Sequence, residues 1–341
     1  MTTATVDIVD KYPLIDLRGA AGDDETVWQG LKTGELRRLT HRIAMPAGEL
    51  KRLPPWERAS VWALACGMSV TKAVVTARAA ALLWGLSTLK VDGPIDLLLP
   101  SSNPSPGRYP AQVRVRSARI NDYNDEVCDW GKLRVASPFR ALRDTVAYYG
   151  EEEGLVLCDS LRRRWPDFTE ARLLGMVEAS PRFCGKKSLR RVIAESVDCA
   201  ESPLETLARL ILKEMVAQGM LSDVHPQRHI TTALASAGRP ATGYFVDFLL
   251  DGWLVVEVDG RIKYDGVTFG KPLDAVLRAE QNREYELRHC GFRVIRVRHE
   301  DVVRRDDGSS RLRDLVLAEL RQPPSVFPDP DGLGGLGFPG P

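Results

Sequence analysis

The stretch from Gly243 to Gly260, GYFVDFLLDGWLVVEVDG, constrains the fold more than any other part of the chain. Two runs of β-branched, aromatic and aliphatic residues flank Asp251 and Gly252, residue types that tolerate the positive backbone angles of a tight turn, so a β-hairpin is predicted. Three acids, Asp247, Glu257 and Asp259, stand in it where apolar residues would otherwise pack. The turn decides which of them meet. A strict two-residue turn sets Asp247 opposite Val256 and sends Glu257 to the other face, because paired residues share a face and side chains alternate. A three-residue loop from Leu250 to Gly252, with Gly252 left-handed, sets Asp247 opposite Val255, and all three acids then share one face. Carboxylates so close raise one another's pKa unless a cation lies between them, and hard oxygen ligands suit Mg²⁺ or Mn²⁺. The alternative is that the acids mark the solvated ends of two strands.

A chain of 341 residues has room for two or three domains, and its 44% hydrophobic and 27% charged content is that of a folded, soluble protein. The formal net charge of +1 excludes a global attraction for nucleic acid, so any such contact must come from local patches. Basic clusters stand at Arg162 to Arg164, at Lys186, Lys187, Arg190 and Arg191, and along Arg293, Arg296 and Arg298. The six cysteines are dispersed without a C-x-x-C pair, which argues against a zinc site or a disulfide framework and for a reducing compartment. No leader pattern opens the chain and no apolar run reaches membrane-spanning length, so the expectation is a cytoplasmic protein with no membrane partner.

Four segments are expected: 1–70, 71–200, 201–320 and a Pro/Gly-rich, disordered tail over 321–341. In the first, a short helix within 27–39, a basic turn carrying Arg37, Arg38 and Arg42, and a strand at Ile43 to Met45 are compatible with the wing of a winged helix, a duplex-DNA reader. A solvated basic turn at the edge of an α/β unit is the other reading. Downstream, Glu57 to Cys66 reads as a helix stopped by Gly67, and Thr76 as the N-cap of a buried helix over 77–86. Strands follow at Ile95 to Leu99, Val113 to Val115 and Leu133 to Val135. Ser137 and Pro138 then open a helix, and further helices are expected over 151–164, after a capping box at Asp167 and Glu170, and over 185–195. Lys186 and Lys187 on the last of these either touch phosphates or form a solvated helix face.

Ser202, Pro203 and Glu205 mark another helix start. Glu205 either caps that helix or faces the hairpin acids as an outer carboxylate. After the hairpin come Arg261 and Lys263, then a helix from Pro272 to Gly291, the usual C-terminal glycine position. Glu280 and Arg283 interrupt its apolar stripe. Buried charge must be paired or bound to something, so this face either looks onto the acids or carries a local ion pair of Arg283 with Glu280 or Glu284. A final strand is expected at Phe292 to Val297, and a terminal helix interrupted at residues 306–308.

Pro203, Leu204 and Glu205, then Val246 to Phe248, then Val256 to Gly260, then Arg283, Glu284, Leu287 and Gly291 to Arg296 together resemble the PD-(D/E)XK nuclease fold in its very-short-patch-repair-like branch. The resemblance covers about a hundred residues. It implies a mixed sheet flanked by helices and metal-dependent hydrolysis of a DNA phosphodiester, with Asp247, Glu257 and the carbonyl of Val258 as ligands of Mg²⁺ or Mn²⁺. Glu205 would be the outer acid. The family places a lysine two positions after the glutamate; Asp259 stands there instead. Lys263, Gln281 or Arg283 would have to supply the missing group. More weakly, Gly34 to Leu39, Thr76 with Ala79 to Leu82 and Trp84 to Leu86, and Val135 to Pro138 with Arg140, Leu142 and Asp144 are similar to the abortive-infection type IV antitoxin family. That implies a winged-helix segment followed by a mixed α/β domain. The expected fold class is therefore α/β, and the expected function a DNA endonuclease or nickase. A non-catalytic DNA-binding regulator and a module binding a toxin or phage protein are the alternatives.

Overall fold

A computed structural model describes residues 6–19, 25–99, 112–117, 123–232, 242–259 and 273–331. The fold is α/β, and the chain divides into two compact units, 1–198 and 199–341. The first unit contains α1 (Val6–Asp10), β1 (Ile15–Asp16), α2 (Glu25–Thr33), β2 (Leu36–Arg38), β3 (Ile43–Pro46), α3 (Ala47–Arg52), α4 (Pro55–Met68), β4 (Val74–Val75), α5 (Ala77–Leu83), β5 (Ile95–Leu99), β6 (Val113–Ser117), α6 (Tyr123–Glu126), β7 (Val127–Asp129), β8 (Arg134–Ala136), α7 (Pro138–Tyr149), α8 (Glu151–Arg164), α9 (Glu170–Ala179) and α10 (Lys186–Glu195). The second contains α11 (Pro203–Ala217), β9 (Val224–Thr232), β10 (Thr242–Leu250), β11 (Leu254–Val258), α12 (Leu273–His289), β12 (Arg293–Val297), α13 (His299–Val302) and α14 (Arg311–Leu320). No helix among the described residues is long and apolar enough to cross a membrane.

In the first unit a small antiparallel sheet, order β1-β3-β2, packs Ala44 against Leu17 and Val27. A five-stranded mixed sheet, order β6-β5-β4-β8-β7, forms the larger layer. Helix α4 does not stop at Gly67, as the sequence suggests, but runs through it to Met68. The glycine is there for space: a Cβ on it would lie 2.7 Å from Val75 Cγ2 and 2.8 Å from Leu133 Cδ1. Thr76 sits at the N-cap of α5, yet its hydroxyl makes no cap and donates instead to Asp144 Oδ2 at 2.6 Å. Asp144 also accepts from buried Arg140 at 2.9 Å, and Glu126 accepts from both Arg140 and Arg143. The start of α9 is two places from the expected box: Thr169, not Asp167, accepts from the Arg172 N–H.

In the second unit a four-stranded sheet, order β12-β11-β10-β9, packs with α11, α12 and α13. β9, β10 and β11 form an antiparallel meander, and β12 returns parallel to β11 after α12. Strand β9 has no counterpart in the expectations, because Pro226 and few apolar residues hide it; as an edge strand it tolerates a proline. The core joins Ile230, Val246, Leu249 and Val255 of the sheet to Leu287 and Phe292. The described part of the expected disordered tail is held against β9. Thr231 N–H donates to the Pro330 carbonyl at 3.1 Å, and Arg228 pairs with Asp331 at 2.6 Å. Residues 332–341 lie outside the described part.

Gly67→Ala tests the close approach of α4 to the sheet. Val75 is fully buried and Leu133 nearly so, so neither yields easily, and overpacking of this kind costs about 1–3 kcal/mol. Alanine recovers about 1 kcal/mol in helix propensity. Urea unfolding is expected to show a net loss of stability for the variant.

Candidate functional site

Local backbone chemistry sets the helix that backs the site. Ser202 Oγ accepts the Glu205 N–H at 3.2 Å, and Pro203 takes the first helical position, where its missing N–H costs nothing. Glu205 answers with Oε2 on the Glu201 N–H at 2.9 Å and Oε1 on the Ser202 hydroxyl at 2.9 Å. The same carboxylate also turns toward the hairpin: Gln227 Nε2 donates to Glu205 Oε2 at 3.0 Å and to Asp247 Oδ1 at 3.3 Å. The capping and outer-acid placements are therefore one arrangement. Burial pushes the Glu205 carboxyl above its usual range, and the charge of Asp247 pushes it further.

The hairpin register differs from the expected one. Its loop is Asp251 to Trp253, with Asp251 (φ 46) and Gly252 (φ 74) both left-handed, and Trp253 N–H closes on the Leu250 carbonyl at 3.0 Å. The pairs are Leu250 with Leu254, Leu249 with Val255 and Phe248 with Val256. The ladder ends there; its register continued by one step sets Asp247 opposite Glu257 instead of Val255, and both side chains line one cavity. The strands part at this point. The Val258 N–H is taken by Asp247 Oδ2 at 2.7 Å instead of by a backbone carbonyl of β10, while the Asp259 N–H bonds to Val297 on the other side.

Asp247 also sits at a break in β10. Val246 and Leu249 share one core cluster although strict alternation would put them on opposite faces, and Phe248 is buried outside it. Opposite the break, Gln227 takes a φ of 47 and drops out of the β9 ladder. Gln227 is the site residue that sequence reasoning missed. A polar residue in an unrecognised edge strand carries no local signal of its role.

Asp247, Glu257, Val258 and Asp259 line one cavity of about 200 Å³ with Gln227, Phe245, Arg283 and Arg296. Arg283 reaches from α12 to donate to Glu257 Oε1 at 2.7 Å and to the Phe245 carbonyl. Its partner is thus on the sheet, while Glu284 pairs with Arg288 at 2.9 Å and Arg296 at 3.2 Å, so the local pair expected for Arg283 does not form with Glu284. Gln281 is exposed and outside the cavity lining. Arg261 and Lys263, and the side chain of Glu280, lie outside the described residues. Among the described residues no group of three or more His, Cys, Asp or Glu side chains is placed to hold a metal ion. Two carboxylates and a carbonyl still suit Mg²⁺, which commonly takes one or two carboxylates and keeps the rest of its shell as water.

The basic residues of the first unit divide. Arg37 and Arg38 are in strand β2 rather than a turn, both exposed, with Arg38 5.8 Å from the Trp28 ring centre. They line a groove of about 780 Å³ with Lys32, Lys51 and Arg58. Arg42 is not available for DNA: its guanidinium grips Asp16 and the Met68 carbonyl. On α10, Lys186 is tied to the Ser180 carbonyl at 2.9 Å, Arg190 pairs with Glu178 and Arg191 with Glu151, whereas Lys187 is exposed. That face is chiefly cross-linked to neighbouring helices.

No protein-family model matches the chain, and no curated protein matches it. Among solved structures, it is similar to the RV2827C protein from Mycobacterium tuberculosis at 15% identity and a TM-score of 0.33. The match covers 61% of this chain and 79% of that one.

The raised pKa of Glu205 gives a pH test. An acid whose folded pKa is raised contributes stability that is present below its unfolded pKa and lost as pH rises through the folded one. Glu205→Gln keeps acceptors for the Glu201 and Gln227 donors and cannot ionise. Its melting temperature is expected to exceed that of the wild type at pH 8, with the gap closing toward pH 4.

Proposed function

We propose that the second unit is a metal-dependent nuclease that hydrolyses DNA phosphodiester bonds, an endonuclease or nickase of the PD-(D/E)XK kind. The observation that carries this reading is the meeting of Asp247 and Glu257 at the parted end of β10 and β11, in one cavity, with a cationic side chain across from them and a buried acid behind. Asp247, Glu257 and the Val258 carbonyl would hold Mg²⁺ or Mn²⁺. Such an ion, when bound, lowers the pKa of water and neutralises charge on phosphate oxygens. Gln227 fixes the rotamer of Asp247 by tying it to Glu205, which the helix cap itself anchors. Arg283, held by the Phe245 carbonyl, presents a permanent positive charge where the developing charge on a phosphate would need it. It stands in for the lysine that Asp259 replaces.

A second reading, a non-catalytic DNA-binding regulator, is favoured by the groove in the first unit. Its five cationic side chains, Lys32, Arg37, Arg38, Lys51 and Arg58, lie together with Trp28, and no acid is among the described residues that line it. A duplex phosphate backbone is the polyanion such a surface would attract, with salt-sensitive affinity. The two readings are compatible if the first unit holds the DNA that the second cuts.

Supercoiled plasmid incubated with the protein and Mg²⁺ or Mn²⁺ is expected to become nicked or linear. Asp247→Ala should stop this while leaving the circular dichroism spectrum unchanged. Equal cleavage by both proteins, or by neither, would sink the nuclease reading. Arg37→Ala with Arg38→Ala should weaken duplex binding in a gel shift and flatten its salt dependence.

A further inference from the structure

In the first unit, between α4 and the segment that enters β5, lies a hollow of about 330 Å³. Trp62 on the helix and Val91 and Ile95 opposite give it an apolar wall, while Arg58, Asp92 and Gln112 supply polar groups. Residues 86–94 form neither helix nor strand, yet they are pinned. The Ser87 N–H donates to Ser160 Oγ at 2.9 Å, the Leu89 N–H to Glu153 Oε1 at 2.7 Å and the Ile95 N–H to the Gln112 carbonyl at 2.7 Å. Gly93 lies so close to Arg78 that a Cβ on it would fall 2.8 Å from Nη2. Arg78 is in turn held by Glu153 at 3.5 Å and by the Tyr149 ring, 3.8 Å from its centre. The loop side of the hollow is therefore fixed by the fold, as in the pre-formed sites that small ligands use.

Arg58 and Asp92 both line this hollow and both are exposed, and among the described residues neither side chain is paired with the other or with any third group. Charges elsewhere on this unit are cross-linked, as Arg190 is to Glu178 and Arg191 to Glu151. A cation and an anion left open on one apolar hollow match a ligand that carries both charges on an apolar body. We infer that the hollow binds a free α-amino acid with a bulky apolar side chain, its carboxylate at Arg58, its ammonium at Asp92 and its side chain against Trp62, Val91 and Ile95. A neutral apolar ligand would use neither charge, and a plain anion would be repelled by Asp92. Arg58 gives the site a consequence, because it also lines the cationic groove with Lys32, Arg37, Arg38 and Lys51. A guanidinium engaged by a carboxylate in one hollow is lost to a phosphate in the other, so the amino acid opposes duplex binding. That coupling rests on the duplex-binding reading of the groove; the site itself does not.

Calorimetric titration of the full chain with L-phenylalanine tests the site, with 3-phenylpropionate and phenethylamine as ligands that each keep one charge. The wild type is expected to bind L-phenylalanine more tightly than either. Arg58→Gln and Asp92→Asn, both at exposed positions, should each weaken L-phenylalanine by about 3- to 10-fold. Arg58→Gln should leave phenethylamine unaffected, and Asp92→Asn should not weaken 3-phenylpropionate. No saturable binding of L-phenylalanine by the wild type, or unchanged affinity in either variant, would overturn the inference. Tighter binding of 3-phenylpropionate than of L-phenylalanine would overturn it too and mark the hollow as a plain anion site. Duplex binding is scored separately by gel shift, where saturating L-phenylalanine should weaken the wild type by about fivefold and leave Arg58→Gln unmoved. A wild type that binds L-phenylalanine as expected but no duplex removes the groove reading and keeps the site; one that binds duplex but no L-phenylalanine does the reverse. Binding of both without mutual effect overturns the coupling.

Discussion

The second unit depends on one substitution in a hydrogen-bond ladder. Where β10 and β11 part, the Val258 amide is satisfied by the carboxylate of Asp247 rather than by a backbone carbonyl. A hydrogen bond to a charged acceptor is worth about 1.5–3 kcal/mol, more than the neutral bond it replaces. The exchange lets the strands separate without an orphaned amide, which opens the cavity. It also locks Asp247 beside Glu257, so two negative charges are brought together by backbone chemistry before any ligand is considered. Arg283 offsets one of them from α12, and Gln227 spreads the other toward Glu205.

That last link connects the sheet to a helix start. A capping carboxylate is ordinarily local, satisfying amides that the first turn leaves open. Glu205 does so at Glu201 and, through Gln227, also fixes the far side of Asp247. Its burial has an electrostatic consequence: the carboxyl is held above its usual pKa, chiefly by loss of water and then by the charge of Asp247. The first unit handles buried charge differently. Arg140 is almost wholly enclosed, yet Asp144, Glu126 and Thr76 surround it and its neighbour Arg143 so that charge is matched within the core.

The hairpin, the helix start at Ser202 and the final strand were legible because each has strong local chemistry: β-branched runs around Asp251 and Gly252, a serine followed by proline and glutamate, and an apolar strand after Gly291. The register was less so. Two positive-φ residues in the loop, Asp251 and Gly252, shift the pairing relative to a turn with only Gly252 left-handed, and sequence patterns do not distinguish these loops. Gly67 read as a helix stop because glycine usually ends helices, whereas here the absence of a side chain admits Val75 and Leu133. Arg42 read as part of a basic turn because its partners, Asp16 and the Met68 carbonyl, are each 26 positions away. Gln227 was invisible for the same reason: its role exists only once β9, β10 and α11 are assembled.

On the proposed nuclease reading, having Asp259 where the resembled family has a lysine reshapes the possible chemistry more than it removes it. A lysine on β11 would offer an ammonium that burial can strip of its proton, so it could serve either as a charge or as a base. Arg283 occupies a comparable electrostatic position on that reading, but its guanidinium carries only N–H donors and no acceptor atom. Its part is confined to orienting oxygen atoms and balancing charge. On the proposed reading, a proton released by an attacking water would therefore have to pass to a carboxylate of the cavity or to solvent. Asp259 lines that cavity with its backbone pinned to β12, so on the proposed reading the residue that stands where the resembled family has a lysine adds a carboxylate to the cavity wall.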